Sequence, residues 1–180
     1  MPPSSTAPLI VIDLQTDMFS GANLPPIHDA DALVERVRAL LAWARGSGRR
    51  VAFVRHDGPP GDPLAPGEPG WPVWTVLGQA DDEPTFSKTE GDAFTNANLL
   101  AWVSGLGAAQ VILTGAQTDC CVAATTHGAL ARGLKPLVVA DAHSTWGSGS
   151  KMAEQIIAQH NEAFAEAGAE VIEAAEVMLS

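Results

Sequence analysis

The sequence is poor in thiols, poor in bases and free of long apolar runs, and each shortage excludes something. Cys120 and Cys121 are the two cysteines of the chain, and they are adjacent. Two are too few for a disulfide scaffold. Sequence neighbours also rarely bridge, because the bond strains the peptide between them. A reducing, cytoplasmic setting is expected. Bases number 10 against 21 acids, for a net charge of −11. Phosphate recognition needs a basic face, so neither nucleic acid nor an anionic membrane is expected as a partner. The acidity reads as a solvated surface. No run is long enough to span a bilayer. The opening "MPPSSTAPLIVIDLQ" has no basic stretch, and Asp13 interrupts its apolar residues, so a signal peptide is not expected.

What is present is enough for a core. The chain has 180 residues, of which 46% are hydrophobic, and one domain over 1–180 is expected. Short apolar runs alternate with longer amphipathic ones. "PLIVID" (8–13), "RVAFVRH" (50–56), "TFSK" (85–88), "AQVILTG" (109–115), "KPLVVADA" (135–142) and "AEVIEA" (169–174) read as strands. Helices are predicted over 30–45, 95–106, 119–132 and 150–168. In the first, Leu33, Val37, Leu40, Leu41 and Ala44 share one face. Thr95 is the expected N-cap of the second, and Gly133 the expected C-cap of the third. Strands alternating with helices imply right-handed crossovers and a mostly parallel six-stranded sheet covered on both faces. The expected class is therefore α/β, a three-layer αβα Rossmann-like sandwich. Between the second and third strands lies "DGPPGDPLAPGEPGWP", too rich in Gly and Pro for regular structure. Trp71 and Trp74 at its end suggest an ordered loop.

In open α/β sheets, ligands bind outside the carboxyl ends of the strands. The polar residues at those ends are Asp13, His56 with Asp57, Lys88, the "TGAQTDCC" turn and Asp141. Asp13 closes an apolar run, so its carboxylate needs a partner or neutralisation. Lys88, between Phe86 and Phe94, is suited to pair with a buried acid. A thiol at the start of a helix meets free N–H groups and a positive dipole end, which lower its pKa and can hold an oxyanion. Taken alone, a cysteine on a helix is more often core. The convergence with Asp13 and Lys88 is what favours chemistry. Redox and structural-metal readings fit poorly. The pair is C-C rather than C-x-x-C, and the histidines at 28, 56, 127, 143 and 160 form no H-x-H or H-x-x-x-H pair. The first strand also runs into "DLQTDMF" rather than a dinucleotide-binding glycine motif.

These residues resemble the isochorismatase-like cysteine hydrolases, which include nicotinamidases and N-carbamoylsarcosine amidase. "LIVIDLQTDMF" (9–19), "FSKTEGDAF" (86–94), "VILTGAQTDCCVAATTHGALARGL" (111–134) and "LVVADAHST" (137–145) match the family's blocks in order and spacing. The resemblance implies catalytic Asp13, Lys88 and Cys121. It also implies a cis peptide between Ala116 and Gln117, and an oxyanion hole from the backbone N–H groups of Gln117 and Cys121. Cys120 falls on a variable position and reads as a small packed side chain.

The implied activity is hydrolysis of a C–N bond in a small amide, cyclic amide or carbamoyl compound, through a thioester. Two alternatives stand beside it: vinyl ether hydrolysis of the isochorismatase type, and a catalytically silent oligomeric binding protein. No cofactor is implied. Homo-oligomers, dimers or tetramers, are, with neighbouring chains approaching the site.

The chain also departs from the family. Nicotinamidases hold a metal through Asp-x-His and a further His after the second strand. Here that region, "RHDGPPGDPLAPGEPGW", has no Asp-x-His, and His56 and Asp57 are the remaining metal candidates. The segment instead resembles the branch with streptothricin hydrolase-like proteins. An acid is common in the family where Gly128 sits, and a Tyr where Leu134 sits. Phe19, His56, Trp71, Trp74, His127 and Trp146 are the candidates for a substrate pocket.

Overall fold

The computed structural model describes residue 4 and residues 6–179. Six strands form its sheet: β1 (Leu9–Ile12), β2 (Val51–His56), β3 (Thr85–Lys88), β4 (Gln110–Ala116), β5 (Lys135–Ser144) and β6 (Glu170–Ile172). Six helices accompany them: α1 (Asp17–Ser20), α2 (Ala30–Gly46), α3 (Ala97–Gly105), α4 (Ala123–Ala131), α5 (Ala153–Glu166) and α6 (Ala174–Met178). The strands lie in the order β3-β2-β1-β4-β5-β6, and every ladder between them is parallel. The expected sandwich is therefore present, with all six strands parallel.

The alternation of side chains along each strand divides the core in two. Leu9 and Val11 of β1 face one way, and pack with Leu33, Val37, Leu40, Leu41 and Ala44 of α2 and with Val177 of α6. Ile10 and Ile12 face the other way, toward Leu99 and Val103 of α3, Ala129 of α4 and Phe164 of α5. All four β1 residues are buried because neighbours cover both edges and both faces of the strand. The helical face predicted for α2 is the one that is buried. Each of its large aliphatic side chains contributes about 1.5–3 kcal/mol on leaving water.

Several boundaries differ from expectation, and local polar chemistry explains them. The helix predicted over 95–106 starts at Ala97, with Asn96 rather than Thr95 as its cap. Asn96 Oδ1 accepts the N–H groups of Asn98 and Leu99 at 2.9 and 3.3 Å. Thr95 belongs to a separate turn built on Asp92, whose carboxylate accepts Phe94 N–H at 2.8 Å. The helix predicted over 119–132 begins as a π-turn, Thr118–Val122, and continues as α4. Arg132 holds its C-cap position, and Gly133, left-handed at φ 75°, lies one residue further on. The fifth strand extends past 142, because a bulge lets His143 and Ser144 pair with Gly115 and Ala116. The helix predicted over 150–168 is shorter at both ends. The short helices α1 and α6 span about one turn each, too little for a periodic signal to show.

The proline-rich loop is ordered by its own contacts. Gly58 N–H donates to Leu64 O at 3.0 Å, and Trp71 Nε1 donates to Asp57 Oδ1 at 2.7 Å. Arg55 lies over the Trp71 ring at 3.5 Å from its centroid. Among the described residues, no helix is long and apolar enough to cross a membrane.

Candidate active site

The strand order reverses between β1 and β4, and a crevice outside their carboxyl ends is where such sheets bind ligands. Asp13 follows β1, and the π-turn with Cys121 follows β4. Gly115 lets the two strands meet this closely. Its φ is 136°, and a Cβ there would lie 2.0 Å from Ile12 O. Lys88 ends β3 opposite His56 of β2 and reaches past that strand toward Asp13.

Lys88 Nζ lies 2.7 Å from Asp13 Oδ2, 3.2 Å from Cys121 Sγ and 3.4 Å from His56 Nδ1. The ion pair is dry, with the side chains of Lys88 and Asp13 exposed by 0% and 2%. Asp13 holds a left-handed backbone at φ 50°. Aspartate tolerates that conformation better than most residues. Its N–H donates to Val54 O at 3.0 Å, and its own carbonyl accepts Gln15 N–H at 2.9 Å. Among the described residues, Asp13 Oδ1 is buried without a hydrogen-bond partner. A carboxylate oxygen left this way retains a free lone pair to receive a proton.

Burial pushes the Asp13 carboxyl above its ordinary pKa, against the pull of Lys88. Burial works to lower the Lys88 pKa, but the charge of Asp13 and the Cys121 thiol outweigh it and raise it. Cys121 is pushed up to about 12, by burial first and the Asp13 carboxylate second, despite Lys88. This reverses the expectation of a lowered thiol pKa. Carboxylate and thiolate compete for one ammonium, so only one of them carries the negative charge cheaply. The resting cluster is therefore carboxylate, ammonium and neutral thiol. Cys120 is exposed. Its pKa is also raised, by partial burial and by Asp119.

Further polar residues, missed in the sequence, brace the strand ends and the turn that carry these groups. Buried Gln15 donates from Nε2 to His56 O (3.0 Å) and Trp71 O (2.8 Å), and its Oε1 accepts His56 N–H at 2.9 Å. It joins the ends of β1 and β2 to the proline-rich loop. On the other side, buried Thr118 bonds His143 Nδ1 at 2.8 Å, and His143 Nε2 meets Asn161 Oδ1 at 2.9 Å. Asn161 Nδ2 donates to Ala140 O at 3.0 Å, which fixes its oxygen toward the ring. His143 is thus Nε2–H, and its Nδ1 accepts from the Thr118 hydroxyl. Burial depresses its pKa from 6.5 to about 4. Thr145 Oγ1 donates to Asp119 Oδ1 at 2.6 Å. The Ala116–Gln117 peptide is cis. Gln117 O accepts the N–H groups of Cys120 and Val122, at 3.2 and 3.0 Å. The strings "TGAQTD" and "DAHST" expose these polar residues to view, but their pairing is a tertiary fact.

Of the six pocket candidates, His56 is the one hydrogen-bonded into the cluster among the described residues. Trp71 braces the loop through Asp57, Arg55 and Gln15. Phe19 and Trp74 stack at 5.4 Å. They line a groove of about 620 Å³ whose walls do not include Asp13, Lys88 or Cys121. Trp146 Nε1 donates to Pro25 O at 2.8 Å. His127 is exposed on α4. Gly128 has a steric reason. A Cβ there would lie 2.3 Å from Asp92 Oδ1, and that carboxylate pairs with Arg132 at 2.7 Å.

Ligand atoms of Asp13, His56 and Cys121 lie within 4.8 Å of one another, close enough to hold a metal ion. Lys88 Nζ is already within hydrogen-bonding distance of all three residues. A divalent ion there would meet a buried positive charge. This donor set does not fit a resident metal.

Fold and site together define a parallel-sheet α/β protein with a thiol, a carboxylate and an ammonium gathered at its switch point. Residues 7–176 match the isochorismatase domain, and the chain belongs to the isochorismatase family of hydrolases. It is 35% identical over 138 residues to a streptothricin hydrolase of Streptomyces noursei, covering 77% of this chain and 49% of that protein. The chain thus spans about half the length of the two streptothricin hydrolases it matches. An isochorismatase from Pseudomonas putida KT2440 superposes with a TM-score of 0.90 at 30% identity, covering 98% of this chain and 93% of that one. An isochorismatase hydrolase structure from Oleispira antarctica gives 0.91 at 27% identity, covering both chains fully.

Proposed function

We propose that the protein is a cysteine hydrolase that cleaves the C–N bond of a small amide, cyclic amide or carbamoyl compound through a thioester. The observation that carries this reading is the position of Lys88 Nζ, 2.7 Å from Asp13 Oδ2 and 3.2 Å from Cys121 Sγ. A scaffold has no need of a buried ion pair against a thiol, because buried pairs are poor sources of stability.

The steps follow from the resting charges. The thiol is neutral, so it loses its proton to the Asp13 carboxylate as Sγ attacks the carbonyl carbon. Lys88 stays protonated and balances the one negative charge, whichever group carries it. The new oxyanion is held by the N–H groups of Gln117 and Cys121. Asp13 then gives its proton to the leaving nitrogen, and the C–N bond breaks to leave a thioester and a free amine. Water attacks the thioester while Asp13 takes its proton. The acid leaves, and the proton returns to Cys121. The raised pKa of Asp13 suits a group that both accepts and returns a proton. The similarity to a streptothricin hydrolase makes streptothricin a good first substrate to try.

A panel of amides, cyclic amides and carbamoyl compounds, with mass detection of trapped thioesters, tests the reading. We expect a thioester on Cys121, loss of turnover in Cys121→Ser, and retained turnover in Cys120→Ser. A trapped adduct on Cys120 overturns the assignment of the nucleophile. Turnover of a vinyl ether substrate that survives Cys121→Ala overturns the thioester route.

A further inference from the structure

The buried ammonium of Lys88 has three N–H donors, and three different side chains stand around it. Asp13 Oδ2 lies at 2.7 Å, Cys121 Sγ at 3.2 Å and His56 Nδ1 at 3.4 Å. The first two belong to the chemistry proposed above, whereas the third has no part in it. We propose that His56 is a positioning residue, the third acceptor that holds the Lys88 ammonium between Asp13 and Cys121; this inference rests on the cysteine-hydrolase reading.

The geometry dictates the state of the ring. All three lysine protons are donors, so His56 Nδ1 contributes a lone pair, and the proton of the neutral ring sits on Nε2. The backbone on both sides of the ring is fixed. His56 N–H donates to Gln15 Oε1 at 2.9 Å, and its carbonyl accepts Gln15 Nε2 at 3.0 Å. In the ladder His56 is the direct partner of Lys88, so the imidazole and the lysine chain leave the sheet side by side. A lysine side chain at 0% exposure has no water to satisfy a spare proton. An acceptor within the protein must do it. With the third contact in place, Nζ is tied from three directions. Without it, one donor of a buried cation is orphaned. The charge then becomes dearer to hold, and the anion that forms beside it, carboxylate or thiolate, loses its partner.

The test compares His56→Leu with His56→Asn in a Cys120→Ser background. Leucine removes the lone pair, whereas the asparagine oxygen attaches one bond from Cγ, as Nδ1 does. The readout is the rate of iodoacetamide labelling of Cys121 at neutral pH, which needs no substrate. Mass mapping confirms the labelled residue, and far-ultraviolet circular dichroism confirms the fold. We expect labelling to fall roughly tenfold in His56→Leu and to recover to within about threefold of the parent in His56→Asn. Unchanged labelling in His56→Leu overturns the proposal. Equal losses in both variants overturn it too, because the lone pair would not be what matters. Should His56→Leu fail to fold, the 15N spectrum of the parent protein decides. An unprotonated Nδ1 and a protonated Nε2 on His56 support the proposal, and a protonated Nδ1 overturns it. The amide panel separates this result from the larger reading. Absent turnover with His56-dependent labelling would sink the function and leave the positioning role standing.

Discussion

Two buried polar clusters flank Cys121, and they differ in one respect that governs the rest. On the β1–β3 side stand Asp13 and Lys88, a charged pair that touches the thiol. On the β5–α5 side stand Thr118, His143 and Asn161, a neutral chain that touches the turn carrying the thiol. Burial raises the pKa of Asp13 and Cys121 on the first side and lowers that of His143 on the second. The direction is the same in physical terms, since low dielectric disfavours charge. The charged side resists only because Lys88 is present, and on the neutral side burial outweighs the weak pull of Asp141, so His143 stays uncharged. On the proposed mechanism, a cluster that moves a proton keeps its charges paired, whereas one that holds a turn needs none.

The comparison breaks most visibly through the thiol itself. Cys121→Ser should lower amide turnover by at least about a thousandfold, as measured by initial rates on whichever panel compound the parent hydrolyses. Next in size is Lys88→Met. It strands a buried carboxylate, and chemical denaturation at neutral pH should show a loss of about 3–5 kcal/mol. A loss under 1 kcal/mol would mean that the pair is wetter than its burial indicates.

The neutral side should reveal itself through acid. His143 has a folded pKa near 4 against 6.5 in the unfolded chain. As pH falls, the unfolded state binds that proton first. Stability is therefore complete above 6.5 and drains between 6.5 and 4, by roughly 3 kcal/mol in all. His143→Gln should flatten that part of the pH–stability curve, and an unaltered slope would place the acid sensitivity elsewhere. Smallest is Thr118→Val, which leaves His143 Nδ1 without its donor. A loss of about 1–2 kcal/mol in stability is expected, with Cys121 labelling within about twofold of the parent. A large labelling defect would show that the two clusters are not separate.

The parts of the molecule that were legible in the sequence are those set by local pattern. The buried face of α2 follows from helical spacing, and the strand ends from short apolar runs closed by polar residues. The polar ends Asp13, Lys88 and Cys121 were readable for that reason, and the structure brings these three together. The thiol pKa was not readable. A helix start lowers a thiol in isolation, but here the competing carboxylate and the loss of water are stronger, and both come from residues far away in sequence. The caps were legible in type but not in position. Asn96 and Thr95 are both good caps, and the turn on Asp92 decided between them.

The sequence by itself determined the order of elements, the two-faced strands and which polar residues close those strands, because these depend on spacing along the chain. Only the tertiary structure decided which polar residues become neighbours. Gln15 bridges two strand ends, Thr118 meets His143 across 25 positions, and Lys88 meets His56 across 32. Hydrogen bonds reach about 3 Å and carry no trace along the chain. Their partners are chosen by the order in which strands pack, and so is the charge that each buried group can keep.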